Sequence, residues 1–175
     1  RAIWNVIAQQ TVFSPTNLDN TIINPDQWDG YQYERQEILD FVADSDIQNF
    51  VVMTGDIHTA GFSVINADDD DPESEVLGYE FVTTSISSGG DGSPGGIGSA
   101  ADSAIDLIEN LKYINASDRG YCVLDFERDK VTATYKIVAT VLEPQADISV
   151  DAQFVVTADE LTWERTDAGA EPSEE

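Results

Sequence analysis

The chain carries one histidine, His58, two residues after Asp56 in the run Gly55-Asp56-Ile57-His58-Thr59. Immediately before it, Phe50-Val51-Val52-Met53-Thr54 is a continuous apolar run of the kind that forms a strand covered on both faces. Alternate residues of a strand share a face, so the carboxylate and the imidazole are expected to converge above the strand's C-terminal end. Open α/β sheets bind their ligands there. Asp offers a hard anionic oxygen and His a borderline nitrogen. The pair therefore suits two adjacent ions of different kinds, a calcium-like ion on Asp56 and a transition metal on His58. The alternative is a histidine that closes a strand end and bonds a neighbouring carbonyl.

Other chemistry-bearing residues point elsewhere. Ser85, Ser87 and Ser88 have no nearby histidine and no Gly-x-Ser-x-Gly elbow, which argues against a serine hydrolase. The glycine-rich stretch Gly89 to Gly98 lacks the Lys-Ser/Thr of a P-loop and reads as a rim loop. Asp68 to Asp71 lacks the spacing of an EF-hand loop, so it supports weak surface ion binding at most. Cys122 falls within a strand and reads as a small core residue. Trp28, Asp29, Tyr31, Glu34 and Arg35 could line an approach to the ions. Helix capping by Asp29 plus a surface ion pair explains them more simply.

Composition bounds what such a site could serve. The 175 residues hold 34 acidic side chains (21 Asp and 13 Glu) against 8 basic ones, a net charge of −26. That surface repels phosphate at long range, which argues against nucleic acid or an anionic membrane as a stable partner. A bound cation can reverse the sign locally, so a small phosphate ester stays open as a substrate. The Asp-rich, Lys-poor surface suits a high-salt environment, where screening removes self-repulsion; an acidic secreted protein is the other reading. One cysteine rules out an internal disulfide framework. No run approaches 18 consecutive apolar residues, so no spanning helix is expected.

The elements that must position Asp56 and His58 follow from patterning. Ala2 to Ala8 reads as a buried strand, Gln9 to Gln27 as a loop, and Trp28 opens a helix with Tyr31, Ile38, Leu39, Phe41 and Val42 at helical spacing. Strands are expected over Phe50 to Thr54, Gly61 to Asn66 and Leu77 to Thr84, then a loop to Gly98 and a helix over Ala101 to Leu111. Gly120 to Glu127 and Val131 to Leu142 form a hairpin about Arg128-Asp129-Lys130, and Gln153 to Thr157 is a last strand. From Ala158 onward an acidic tail is expected, disordered by Ala168. The layout is α/β, with mixed sheets, helical layers and a hairpin-rich end. The chain opens on Arg1-Ala2-Ile3-Trp4 with neither Met nor a signal segment, and reads as a piece of a longer protein.

Six segments in order carry a resemblance. They are Ile3 to Val6 with Gln9-Gln10, Gln27 to Tyr31 with Glu34-Arg35, Val51 to Thr59, Tyr79 to Ser88, Tyr113-Ile114-Asn115, and Arg119-Gly120-Tyr121. Together they resemble the C-terminal half of the PhoD-like alkaline phosphatases, a branch of the calcineurin-type metallophosphatases, over residues 1–157. The resemblance implies half of a sandwich of two mixed β-sheets flanked by helices, with residues 158–175 as a tail. It implies that Asp56 and His58 are metal ligands in the last motif of a two-metal site, with iron and calcium as the ions. It further implies an exported, extracytoplasmic enzyme that hydrolyses phosphomonoesters, and often phosphodiesters, by a metal-activated hydroxide. The earlier ligands of such a site have no counterpart here. The resemblance thus implies a chain that is inactive alone and needs the upstream half of its domain. The alternative is a non-catalytic acidic or calcium-binding module that kept the fold and lost the site.

Overall fold

The computed structural model describes residues 2–16, 24–69, 71–89 and 105–166. Among the described residues nine strands form two sheets, with a long α-helix on the outer face of the first. The first sheet has the order β1-β2-β4-β3-β5. Its strands are β1 (Asn5–Ala8), β2 (Phe50–Thr54), β3 (Ala60–Asn66), β4 (Val76–Val82) and β5 (Leu111–Asn115). β1, β2 and β4 run parallel, while β3 and β5 are antiparallel to their neighbours. The second sheet, β6 (Arg119–Phe126), β7 (Lys130–Val138), β8 (Ile148–Thr157) and β9 (Trp163–Arg165), is an antiparallel meander. The architecture is thus the expected α/β one with two sheets, the first mixed and the second antiparallel throughout.

In β2, β3 and β4 the strand period of two sorts the side chains into two cores, whereas β1, expected as a buried strand, exposes Val6, Ile7 and Ala8. Val51 of β2, Phe62 of β3, and Tyr79 and Phe81 of β4 face the second sheet, where they meet Ala133, Tyr135, Ala152, Phe154 and Val156. Phe62 sits at the centre, its ring 4.5 Å from that of Phe154 and 5.1 Å from that of Phe81. A fully buried ring of this kind contributes about 2–3 kcal/mol by burial alone. On the other face, Phe50, Val52 and Ile65 pack with Phe13 against Leu39 and Val42 of α1 (Gln32–Asp44). The continuous apolar run of β2 is therefore read correctly as a strand covered on both faces.

Several expectations need correction. α1 buries Arg35, Leu39 and Val42, spaced four and three residues apart, while Tyr31 and Phe41 are exposed. Arg35, expected in an ion pair on the helix surface, is buried instead. Asp29 caps nothing; it lies inside a 3₁₀ turn (Trp28–Tyr31) that precedes α1. The helix expected over Ala101 to Leu111 stops early: residues 105–107 are helical, Leu111 opens β5, and 101–104 lie outside the described residues. β8 is ten residues long, and the chain does not turn into a tail at Ala158. Ala158 is buried, and Trp163–Arg165 adds a strand on which Trp163 packs edge-on against Phe62. The expected tail from Ala168, and most of the glycine-rich stretch Gly89 to Gly98, lie outside the described residues.

Candidate metal centre at the end of β2

The parallel strands β1, β2 and β4 end together, and their C-terminal ends carry Gln9-Gln10, Gly55 to Thr59 and Thr83-Thr84. Backbone bonds tie these ends to one another: Gln9 N to Met53 O at 3.0 Å, Gly55 N to Gln10 O at 3.2 Å, and Thr83 N to Thr54 O at 2.9 Å. Asp56 and His58 lie in the turn between β2 and β3, not on a strand. Both have positive φ, 72° and 54°. The alternation argument for their convergence therefore does not apply; what sets them is a tight left-handed turn. Such backbone is sparsely populated by residues other than glycine and persists only where its surroundings hold it.

The hold on His58 is dense. Its carbonyl oxygen accepts from Thr84 Oγ1 at 3.0 Å and from the Arg119 guanidinium at 2.6 Å. Arg119 is buried and also donates to Thr84 Oγ1 and to the carbonyls of Ala116 and Ser117. No carboxylate lies within ion-pair distance of Arg119 among the described residues. The turn Asn115 to Asp118, in which Asn115 Oδ1 accepts from the amides of Ser117 and Asp118, delivers Arg119 to this place as the chain crosses from β5 to β6. The imidazole Nδ1 lies 2.7 Å from the carbonyl oxygen of Gly89. A carbonyl can only accept, so Nδ1 carries the proton and Nε2 presents its lone pair. That is the arrangement a metal-ligating histidine needs.

Asp56 is held differently. Its carboxylate is exposed, and Oδ2 accepts from the side-chain amide of Gln27 at 2.8 Å. Gln27 is buried, and its Oε1 accepts from the amide of Val12 at 2.5 Å. Gly30 seats the turn that follows: a Cβ at that position would lie 2.0 Å from the carbonyl oxygen of Pro25. The 11–16 segment is anchored from below by Glu80, which accepts from the amides of Phe13 and Ser14 at 2.8 and 2.7 Å and from Thr54 Oγ1 at 2.6 Å. Glu80 is fully buried, and burial pushes its pKa above the ordinary carboxylate range despite these donors.

The donor types present, one carboxylate oxygen and one imidazole nitrogen, fit the hard and borderline ions expected of them. Their number does not complete a site: among the described residues no group of three or more His, Cys, Asp or Glu is placed to hold a metal ion. Asp29, Arg35, Cys122 and Ser85 make structural contacts instead. Asp29 and Arg35 form a buried ion pair at 2.8 Å, and Arg35 also binds Asp69 and the carbonyl of Phe13. Asp29 further accepts from Thr16. Burial pushes the Cys122 thiol up to about 12, as suits an inert core residue. Ser85 Oγ bonds the carbonyl of Ser88. A cavity of about 890 Å³ opens beside α1 and β3 and is lined by none of the residues of the Gly55 to Thr59 turn. Gln27, Arg119 and Glu80 are the residues that sequence reasoning gave no role. Their positions were within or beside the recognisable segments, but nothing in a glutamine or arginine taken alone marks it as a support.

The model of the PhoD-like phosphatase family matches residues 1–135. The chain is 36% identical over 164 residues to alkaline phosphatase D of Bacillus subtilis (strain 168), covering 91% of this chain and 27% of that protein. A solved structure of PhoD superposes with a TM-score of 0.84 at 32% identity, covering 94% of this chain and 31% of that one. The chain therefore spans less than a third of the length of these relatives.

Proposed function

The chain belongs to the PhoD-like phosphatase family, and we propose on that footing that it forms part of a metal-dependent enzyme hydrolysing phosphomonoesters, and phosphodiesters as well. Asp56 and His58 are the ligands this chain contributes, iron and calcium are the ions, and a segment upstream in the domain contributes the remaining ligands. The observation that carries the reading is the bond from His58 Nδ1 to the Gly89 carbonyl, which commits the imidazole to offering Nε2.

When bound, such ions lower the pKa of a water, clamp phosphate oxygens and stabilise the attacking and leaving oxygens of an in-line displacement. The protein's own part is to hold one oxygen and one nitrogen donor in a fixed turn at the ends of parallel strands. Its surface charge of −26 repels an anionic substrate, so the local positive charge must come from the ions. The substrate class is a small phosphoester, with neither nucleic acid nor a membrane as a stable partner. Among the described residues no helix is long and apolar enough to cross a membrane. Export to an extracytoplasmic location completes the proposal.

Metal content and p-nitrophenyl phosphate hydrolysis of the full-length protein, with and without calcium, test the reading. Bound metal with calcium-dependent turnover is expected. A full-length protein with neither would favour the non-catalytic acidic or calcium-binding module instead.

A further inference from the structure

Gln27 is oriented from one side and acts on the other. The Val12 amide can only donate, so the oxygen of the Gln27 side chain faces Val12 and its NH₂ group must face Asp56. The Trp28 amide bonds the Val12 carbonyl at 3.2 Å, so Gln27 and the segment it reaches across are locked in register. One oxygen of Asp56, Oδ2, is thereby occupied by a neutral donor, and Oδ1 has no hydrogen-bond partner among the described residues. A carboxylate with both oxygens open can take a cation through either or both. With one donor on Oδ2 and none on Oδ1, Asp56 presents Oδ1 as its less encumbered oxygen.

We propose that Gln27 is a positioning residue that orients the Asp56 carboxylate as a metal ligand, with Oδ1 as its more open oxygen. The inference rests on the reading of Asp56 as a metal ligand. It adds that a buried amide 29 residues upstream in the chain sets how the carboxylate binds, as hydrogen-bonding partners of metal ligands generally do. Gln27 touches neither ion nor substrate. It acts through Asp56 alone.

The test uses the full-length protein with Mn²⁺ as the probe. Affinity is read by equilibrium dialysis, the ligand field by electron paramagnetic resonance, and the melting temperature on metal-free protein. Gln27→Met removes the donor while keeping the volume. It is expected to weaken Mn²⁺ binding about tenfold or more and to change the resonance spectrum of what still binds. Thr16→Val, which removes a hydrogen bond to Asp29 in the neighbouring segment, is expected to lower the melting temperature with affinity and spectrum unchanged. Should Gln27→Met not fold, Gln27→Asn enters the same assays, because its shortened amide cannot span Val12 and Asp56 together.

Wild-type affinity and spectrum in the Gln27 variant would overturn the inference, as would equal losses of affinity in the Gln27 and Thr16 variants. Asp56→Asn separates the two levels. If Asp56→Asn loses Mn²⁺ while the Gln27 variant does not, the positioning role fails and the ligand reading stands. If Asp56→Asn binds Mn²⁺ as wild type does, the ligand reading itself fails.

Discussion

The guanidinium of Arg119 donates to the backbone carbonyl of His58 at 2.6 Å, across 61 residues of sequence. It ties the first strand of the second sheet to the turn that closes β2, and among the described residues it does so as a buried cation bonded only to neutral oxygens. Arg119→Met keeps the aliphatic stem and removes all four bonds. The full-length variant is expected to lose about 2–4 kcal/mol in urea unfolding. Arg119→Lys should recover only part of this, because one ammonium cannot reach both sides of the fork. A Met variant within about 0.5 kcal/mol of wild type would mean that the His58 turn holds its left-handed backbone unaided.

His58→Ala in the full-length protein is expected to abolish p-nitrophenyl phosphate hydrolysis and to release the transition metal, measured by elemental analysis. A chelator should remove activity from the wild type completely, and added metal should restore it, since the protein surface supplies no positive field of its own. Unchanged turnover in the variant would reassign the Gly-Asp-x-His segment to a structural role.

Glu80 faces donors at both of its oxygens. In Glu80→Gln the new NH₂ group must meet a backbone N–H, whichever way the amide is turned, and the loss should be about 2 kcal/mol at neutral pH. The pH dependence has a definite sign. Burial raises the folded pKa, so the folded state holds its proton at a pH where the unfolded chain has released it. Glu80 therefore contributes a stability that falls as pH rises from the ordinary glutamate range to the folded pKa, and is level above it. Urea midpoints measured over that range should show this slope in the wild type and a shallower one in the Gln variant.

Salt should stabilise the protein. A net charge of −26 on 175 residues repels itself over about 10 Å at 0.1 M salt and about 3 Å at 1 M. The melting temperature should rise about 2–4 °C for each kcal/mol of repulsion screened. Scans in 0.1 and 2 M KCl measure it, and a flat response would remove the high-salt reading of the surface.

What was legible in the sequence was whatever a short-range pattern records. The run Phe50 to Thr54 announced β2 because it is apolar at every position but the last, and the hairpin about Arg128-Asp129-Lys130 was placed correctly between β6 and β7. Gly55 to Thr59 was found because it holds the single histidine of the chain, two residues from an aspartate at a strand end. What escaped depended on partners far away in sequence. Arg35 is on the buried face of α1 because Asp29, Asp69 and the Phe13 carbonyl surround it there. Leu111 begins a strand because β3 offers it an edge. Trp163 was lost in an acidic stretch although Phe62 and Phe154, about a hundred residues and nine residues back, receive its ring. The left-handed turn at Asp56 and His58 was invisible for the same reason, because neither residue favours it without Gln27, Thr84 and Arg119.

The two sheets also differ in how their strands are ordered. Every pairing in the second sheet joins strands consecutive in the chain, whereas the first sheet pairs Asn5 with Phe50 and threads β4 between β2 and β3. Closing long loops slows such pairings. Within this stretch β1 leaves the ribosome well before its partner β2, while β6 to β9 can each pair with the strand made just before them. The second sheet is thus built to pair earlier than the first, with the His58 turn assembled only when Arg119 arrives from it. Pulsed hydrogen exchange during refolding should find the amides of β7 and β8 protected before those of β1 and β2.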